Sequence, residues 1–234
     1  MSAESPIHPN LILRRVVQLL GFTLAMTAVL LVVAGDWRWL NAWLLIGLYL
    51  AVLIVNALLF LLGRKDLIEE RGQVKENVKD WDKRLTRWMA LVGMFGPLAV
   101  AALDHRFGWS GLESVAALAT AVLVYLGGYA LASWAMYANR FFSTHVRIQR
   151  DRGHQVVDTG PYTFVRHPGY LGMILSTLAT PFVLNSLWAL VPALIGCGLV
   201  IIRTALEDRT LQAELPGYRA FTQKTRYRLL PGVW

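Results

Sequence analysis

Long apolar runs alternate with short and long polar segments along the chain, and this alternation predicts a bundle of membrane-spanning helices. The first run, Val16 to Ala34, follows Arg14 and Arg15. At 1.5 Å per residue it covers about 28 Å, close to the thickness of the hydrocarbon core. Residues 1–13 are polar and hold two prolines, as befits a short tail or an interfacial segment. Gly35-Asp36 predicts a tight turn, and Trp37, Trp39 and Trp43 carry the aromatic signature of a membrane interface. A second span is predicted from Leu40 to Leu62. The polar stretch 63–87 suits a helix-turn-helix lying on the membrane surface. A short third span, Trp88 to Leu103, holds Pro97, which predicts a kink. The fourth runs from Ser114 to Tyr137, where Gly127-Gly128 permits close helix packing. A second long polar segment, 138–167, precedes two shorter runs, Gly169–Leu184 and Leu187–Ala205. Asn185-Ser186 between them is a turn signal, so the pair reads as a helical hairpin. The expected fold is therefore an all-α integral membrane protein with about six transmembrane helices, the last two forming the hairpin. Residues 1–133 supply N-terminal helices and a loop, and 134–234 a C-terminal core.

Composition agrees with the pattern. The chain has 234 residues, 56% hydrophobic and 16% charged, against about 45–50% and about 25% for soluble domains. The net charge of +8 invites a nucleic-acid reading, but no recognition fold or motif accompanies it. Membrane topology explains it better. With an inside N-terminus and six crossings, 21 of the 23 basic residues lie on the inner side, and only Arg38 and Arg106 lie outside. This satisfies the positive-inside rule and puts both long polar segments, and both termini, at the cytoplasmic face. The membrane would be the inner membrane in a bacterium or the endoplasmic reticulum in a eukaryote. The first apolar run is too long for a signal peptide and lacks a clear cleavage site. The single cysteine, Cys197, allows no internal disulfide.

The densest chemistry lies in residues 154–170, HQVVDTGPYTFVRHPGY. Taken singly, His154 and His167 read as well as solvated loop histidines as they do as ligands. Context favours a site: Arg166-His167-Pro168-Gly169-Tyr170 sits where a loop enters an apolar helix, Pro168 suits a first helical position, and the free N–H groups of that helix end favour a carboxylate. Gly160-Pro161-Tyr162 reads as a turn presenting a tyrosine. A metal site is not expected, since the histidines are 13 residues apart with no cysteine or HExxH pattern nearby. Arg203, Glu207 and Asp208 lie at the end of the hairpin, with Arg203 and Glu207 on one helix face. A surface ion pair is the plain reading of those two, but a charge at the end of an apolar helix points to function. The chain has no nucleophile elbow, phosphate-binding loop or dinucleotide fingerprint.

These motifs together, G-P-Y-x-x-V-R-H-P-x-Y at 160–170, H-x-V-V at 154–157, R-x-x-x-E-D at 203–208 and the closing Y-R-L-L-P, resemble the isoprenylcysteine carboxyl methyltransferase family and, more loosely, the membrane phospholipid methyltransferases. The resemblance covers residues 134–234. It implies S-adenosyl-L-methionine as cofactor, held at a cytoplasmic site by His154, Gln155, Val156, Val157, Tyr162, His167, Pro168, Gly169, Tyr170 and Glu207. It places Gln149 as a further cofactor contact and Arg203 on the substrate side, as the catalytic arginine. Asp208 stands where the family often has a second glutamate. The partners implied are membrane lipid and a lipophilic methyl acceptor entering from the bilayer, a prenylcysteine carboxylate or similar, with no nucleic acid and no metal. Three other readings stay open: a phospholipid amine or thiol methyltransferase, an NADPH-dependent sterol-type reductase with a similar C-terminal architecture, and a non-catalytic membrane module.

Overall fold

The computed structural model describes residues 9–64, 78–111 and 114–234, with side chains from residue 13 onward. Helices α1 (Pro9–Ala34) and α2 (Leu40–Gly63) correspond to the first two apolar runs. Helix α3 (Asp80–Phe107) is continuous, with a π-helical stretch at Met89–Phe95 in its middle. Helix α4 (Val115–Ala138) follows. Two single 3₁₀ turns, Arg150–Arg152 and Gly160–Thr163, punctuate the polar segment. Then come α5 (Pro168–Val183), α6 (Leu190–Glu214) and the short α7 (Tyr218–Lys224). The described residues contain no strand. Five helices, α1 to α4 and α6, are long and apolar enough to cross a membrane. Apolar side chains such as Leu24, Val32, Ile54, Leu123 and Val115 are exposed on their outer faces, which a lipid environment accounts for.

The expectation of six spans changes in three places. First, α3 begins at Asp80, eight residues before the predicted start, so the end of the 63–87 segment is about two turns of helix continuous with the third span. The rest of the predicted helix-turn-helix, 65–77, lies outside the described residues. The wide π turns end at Gly96-Pro97, where proline supplies no N–H to the ladder and the π-helical stretch accommodates the missing bond. Second, α5 has 16 residues, about 24 Å of helix, and is shorter than the five helices long and apolar enough to cross a membrane. Third, α6 runs nine residues past Ala205 to Glu214, because nothing from Leu206 to Gln212 breaks a helix. Arg203, Glu207 and Asp208 are therefore mid-helix residues.

Two ends of the bundle are defined by side-chain contacts. At one, Asn41 Nδ2 donates to Val183 O (2.7 Å), His105 Nε2 meets Asp36 Oδ2 (2.9 Å), and buried Asp104 accepts from Ser110 and Ser186 Oγ. Trp37 and Trp43 are exposed there, but Trp39 is buried and stacks on His105 at 4.4 Å, so it serves as packing and not as an interfacial ring. Asn185 takes the left-handed conformation (φ 55°) in the predicted α5–α6 turn. At the other end lie the C-terminus of α2, the N-terminus of α3, the C-terminus of α4 and the start of α5. Helices α4 and α5 cross closely at Gly128 and Gly172. A Cβ on Gly172 would fall 2.3 Å from Gly128 O, and one on Gly128 2.4 Å from Ser176 Oγ. Gly127 faces open space, so of the predicted glycine pair only Gly128 makes the contact. At this end the 139–167 segment packs beside the start of α5, with Tyr162 bonded to Ala135 O and Gln149 to Phe141 O.

Candidate functional site

At that end lies a cavity of about 710 Å³. Helix α5 starts with Pro168 at its first position and His167 just before it, the arrangement expected from fixed proline φ. The His167 carbonyl accepts from Tyr170 N (3.1 Å) and Leu171 N (3.2 Å) and so closes the first turn. Upstream, Gly160 (φ 60°) turns the chain so that Tyr162 points inward. The Tyr162 hydroxyl donates to Ala135 O and accepts from Asn139 Nδ2, both at 3.3 Å, and burial pushes its pKa up. The 154–157 strip passes along the other wall. His154 packs on Phe141 (4.7 Å between rings), and its Nδ1 accepts from Gln149 N (3.3 Å). That bond puts the proton on Nε2. Burial first, then the charges of Arg147 and Arg152, push the His154 pKa down to about 4, so the ring is neutral at physiological pH.

Tyr170 and Glu207 join the two halves. The Tyr170 hydroxyl donates to Glu207 Oε2 in a short hydrogen bond, and the Tyr170 ring lies near His167 (5.8 Å). Glu207 Oε1 accepts from none of the described residues. The Arg203 guanidinium sits 5.3 Å from the centre of the Tyr170 ring and is 5% exposed. Its ionic partner is Asp82 on α3 (Nε to Oδ1, 2.8 Å), and its Nη2 donates to Thr144 O (2.7 Å). The surface-pair reading of Arg203 with Glu207 is thus replaced: both share a face, but Arg203 pairs with a residue 121 positions away.

Of the residues singled out in the sequence, His154, Gln155, Val156, Val157, Tyr162, His167, Gly169, Tyr170, Arg203 and Glu207 line this cavity. Gln149 and Pro168 do not. Gln149 is buried, and its side chain donates to Phe141 O (2.6 Å) and accepts from Arg152 (2.7 Å), so it braces the loop behind His154. Pro168 is buried at the helix start, and Phe142 occupies the space a side chain on Gly169 would need (2.8 Å).

Asp208 also points away from the cavity. It is fully buried and accepts from Arg166 Nε (2.8 Å) and Nη2 (3.1 Å), Arg228 Nε (2.8 Å), Gln212 Nε2 (2.7 Å) and Tyr218 Oη (3.1 Å), with His167 Nε2 at 3.3 Å. The backbone of Arg166 and His167 pairs with Tyr227 O and Arg228 O (2.9 Å each). Arg166, read in the sequence only as part of a motif, is therefore the clamp between α6 and the C-terminal tail, and the closing Y-R-L-L-P supplies its backbone partners. Asp82, His145 and Tyr218 carried no motif signal. Asp82 is one of six acids in a mixed-charge segment, and only the fold singles it out.

The cavity does not stop at the polar loop. It continues between the helices past Phe22, Met26, Leu45, Leu98 and Tyr125, well inside the apolar bundle. Polar groups at one end and an apolar limb at the other suit a pair of ligands, one water-soluble and one lipophilic. The described residues hold no group of three or more metal-ligating side chains.

Comparisons with known proteins bear on the same residues. Residues 119–213 match the sequence model of the isoprenylcysteine carboxyl methyltransferase family. A protein-S-isoprenylcysteine O-methyltransferase of Schizosaccharomyces pombe is 36% identical over 61 residues, 26% of this chain and 26% of its own length. The aligned part thus spans about a quarter of that relative. The family match takes in α5, the cavity-facing loop and nearly all of α6. It starts earlier than the motifs suggested and ends before the C-terminal tail.

Proposed function

We propose that the protein is an S-adenosyl-L-methionine-dependent methyltransferase that modifies a lipophilic acceptor, with the carboxylate of a prenylcysteine or a similar group as the receiving atom. The observation that carries this reading is a cavity with polar groups at one end and an apolar limb within the bundle, its polar end drawn mainly from the region that matches the methyltransferase family.

The residues present fit such a cofactor. Glu207 Oε1, with no partner among the described residues, can accept from an ammonium or from ribose hydroxyls. The neutral His154 ring, with its Nε2–H, and the Tyr162 side chain both line the cavity. The volume of about 710 Å³ is within the ordinary range for sites holding small molecules. When bound, the cofactor supplies an electrophilic methyl on a sulfonium. The protein's task is alignment and exclusion of water. The apolar limb receives the chain of the acceptor. Arg203 orients its carboxylate by paired N–H donors. A carboxylate is ionised near neutral pH (about 4 for an unperturbed group), so no base is needed to prepare it. Tyr170 lies between Arg203 and Glu207 and touches both, which ties the acceptor side to the cofactor side.

The basic-residue asymmetry supports a cytoplasmic location for this end of the bundle, where the soluble cofactor is supplied and its product released. We keep 1–133 as the region that embeds and walls the cavity and 134–234 as the region that carries the transfer chemistry. The test is methyl transfer from labelled cofactor by purified protein in lipid nanodiscs, against S-prenylcysteine, phospholipid-amine and small-thiol acceptors. Transfer to the prenylcysteine carboxylate, giving a base-labile methyl ester, is the expected result. Transfer to amines or thiols alone would reassign the acceptor. No transfer with any of them, together with oxidation of NADPH on a sterol, would favour the reductase reading.

A further inference from the structure

The fully buried carboxylate of Asp82 lies outside the family-matched region, in the first turn of α3. Its Oδ1 accepts from Arg203 Nε at 2.8 Å. Its Oδ2 accepts from Val146 N at 3.0 Å and meets His145 Nδ1 at 3.0 Å. One acid thus fastens three elements: α3, α6 and the 143–146 loop along the cavity wall. A buried carboxylate held this way costs several kcal/mol of desolvation, which its partners must offset, so such a group is not a casual surface acid.

The geometry on Arg203 is specific. A guanidinium has five N–H donors in a rigid plane. Asp82 occupies Nε, and Thr144 O occupies one N–H of Nη2. The Nη1 donors and the remaining Nη2 donor are left without a partner among the described residues, on a side chain that lines the cavity. Those two nitrogens form the end of the fork that grips a carboxylate bidentately. The Tyr170 ring lies against the guanidinium, with its centre 5.3 Å from Cζ.

We propose that Asp82 is a positioning residue for the methyl acceptor: by holding Arg203 at Nε it turns the free end of the guanidinium toward the acceptor's carboxylate. The inference rests on the methyltransferase reading above and deepens it, because it commits that site to an anionic acceptor head. An amine head would be repelled by the same fork. Asp82 touches neither ligand; it acts through Arg203.

The test is a double-mutant cycle with Asp82→Asn, Arg203→Gln and the charge-neutral pair Asp82→Asn/Arg203→Gln, in nanodiscs with an N-acetylated S-farnesylcysteine. Two quantities are read for each protein: the acceptor KM and the Kd for S-adenosylhomocysteine. Each single variant should raise the acceptor KM about tenfold or more, with cofactor Kd changed less than about threefold, and the pair should be no worse than Arg203→Gln alone. If Asp82→Asn does not fold, the neutral pair, which leaves no unmatched buried charge, carries the comparison with Arg203→Gln. Additive losses in the cycle would overturn the proposal and make Asp82 only a brace for the 143–146 loop, and so would a parallel loss of cofactor affinity. Wild-type protein that binds S-adenosylhomocysteine but methylates only amines would also overturn it. Wild-type protein that neither binds nor transfers would instead refute the methyltransferase reading, and the proposal with it.

Discussion

Replacing Asp208 should destabilise the protein strongly. The carboxylate is fully buried and meets two arginines, a glutamine, a tyrosine and a histidine. In Asp208→Ala, Arg166 keeps its bonds from Nη1 to Thr225 O and Arg226 O but loses those from Nε and Nη2, while remaining 6% exposed. Breaking a buried pair in this way costs about 3–5 kcal/mol, because one charge is left without its partner. Arg228 adds little to the loss, since its side chain is 27% exposed and can turn to water. For a chain of this size each kcal/mol shifts the midpoint by about 2–4 °C, so Asp208→Ala should lower it by about 6–20 °C. Asp208→Asn keeps one acceptor oxygen and should fall at the lower end. Arg228→Ala should cost about 1 kcal/mol at most. Joint replacement by apolar residues of similar size, Arg166→Met with Asp208→Leu, should recover much of the loss, since no buried charge is then unmatched. Thermal unfolding in detergent, followed by tryptophan fluorescence, reads the effect directly, because Trp234 lies against the Arg228 guanidinium at 4.8 Å. A shift of only about 2 °C for Asp208→Ala, within the range of an exposed pair, would refute the hub.

Gly172→Leu should prevent α4 and α5 from closing, because a side chain there meets the backbone of Gly128 and Ala132; loss of the folded species on size-exclusion chromatography is the expected result, and Gly127→Leu, facing open space, should leave it intact. His154 should make stability fall with acid. Its folded pKa of about 4 lies below its ordinary 6.5, so the unfolded chain takes up a proton first; the contribution of the neutral ring is complete above pH 6.5 and is lost as pH falls toward 4. His154→Gln should flatten the thermal-midpoint profile across that window, and an unchanged slope would show that the ring is not held neutral. Tyr170→Phe removes the donor to Glu207 but keeps the ring beneath Arg203, so cofactor Kd should weaken by about 3- to 30-fold while acceptor KM changes little.

Much of the architecture is legible in hydropathy alone, because a spanning helix needs only length and apolar side chains. The first two spans, the Gly35 and Asn185 turns, and the Pro168 helix start all follow from local rules. The boundaries that failed did so where polar residues continue a helix. Asp80–Arg87 and Leu206–Glu214 contain good helix formers, but hydropathy registers them as loop. Local motif density found the cavity wall, since His154, Tyr162 and Tyr170 lie close in sequence. It could not separate lining from bracing: Gln149 and Asp208 have the same chemistry as ligand contacts and differ only in which way they point. Asp82 was invisible for another reason. Its partner is 121 residues away, and only the packing of α3 on α6 makes one acid among six the counterion of Arg203.

The central claim is that residues 154–170 and the face of α6 carrying Glu207 form one cofactor site. Calorimetric titration of the purified protein with S-adenosylhomocysteine, beside Glu207→Gln, tests it most directly. The expected result is one site per chain in the wild type, an affinity loss of about tenfold or more in Glu207→Gln with an unchanged thermal midpoint, and no heat on adding NADPH. Equal affinity in the two proteins, or binding of NADPH in place of S-adenosylhomocysteine, would contradict it.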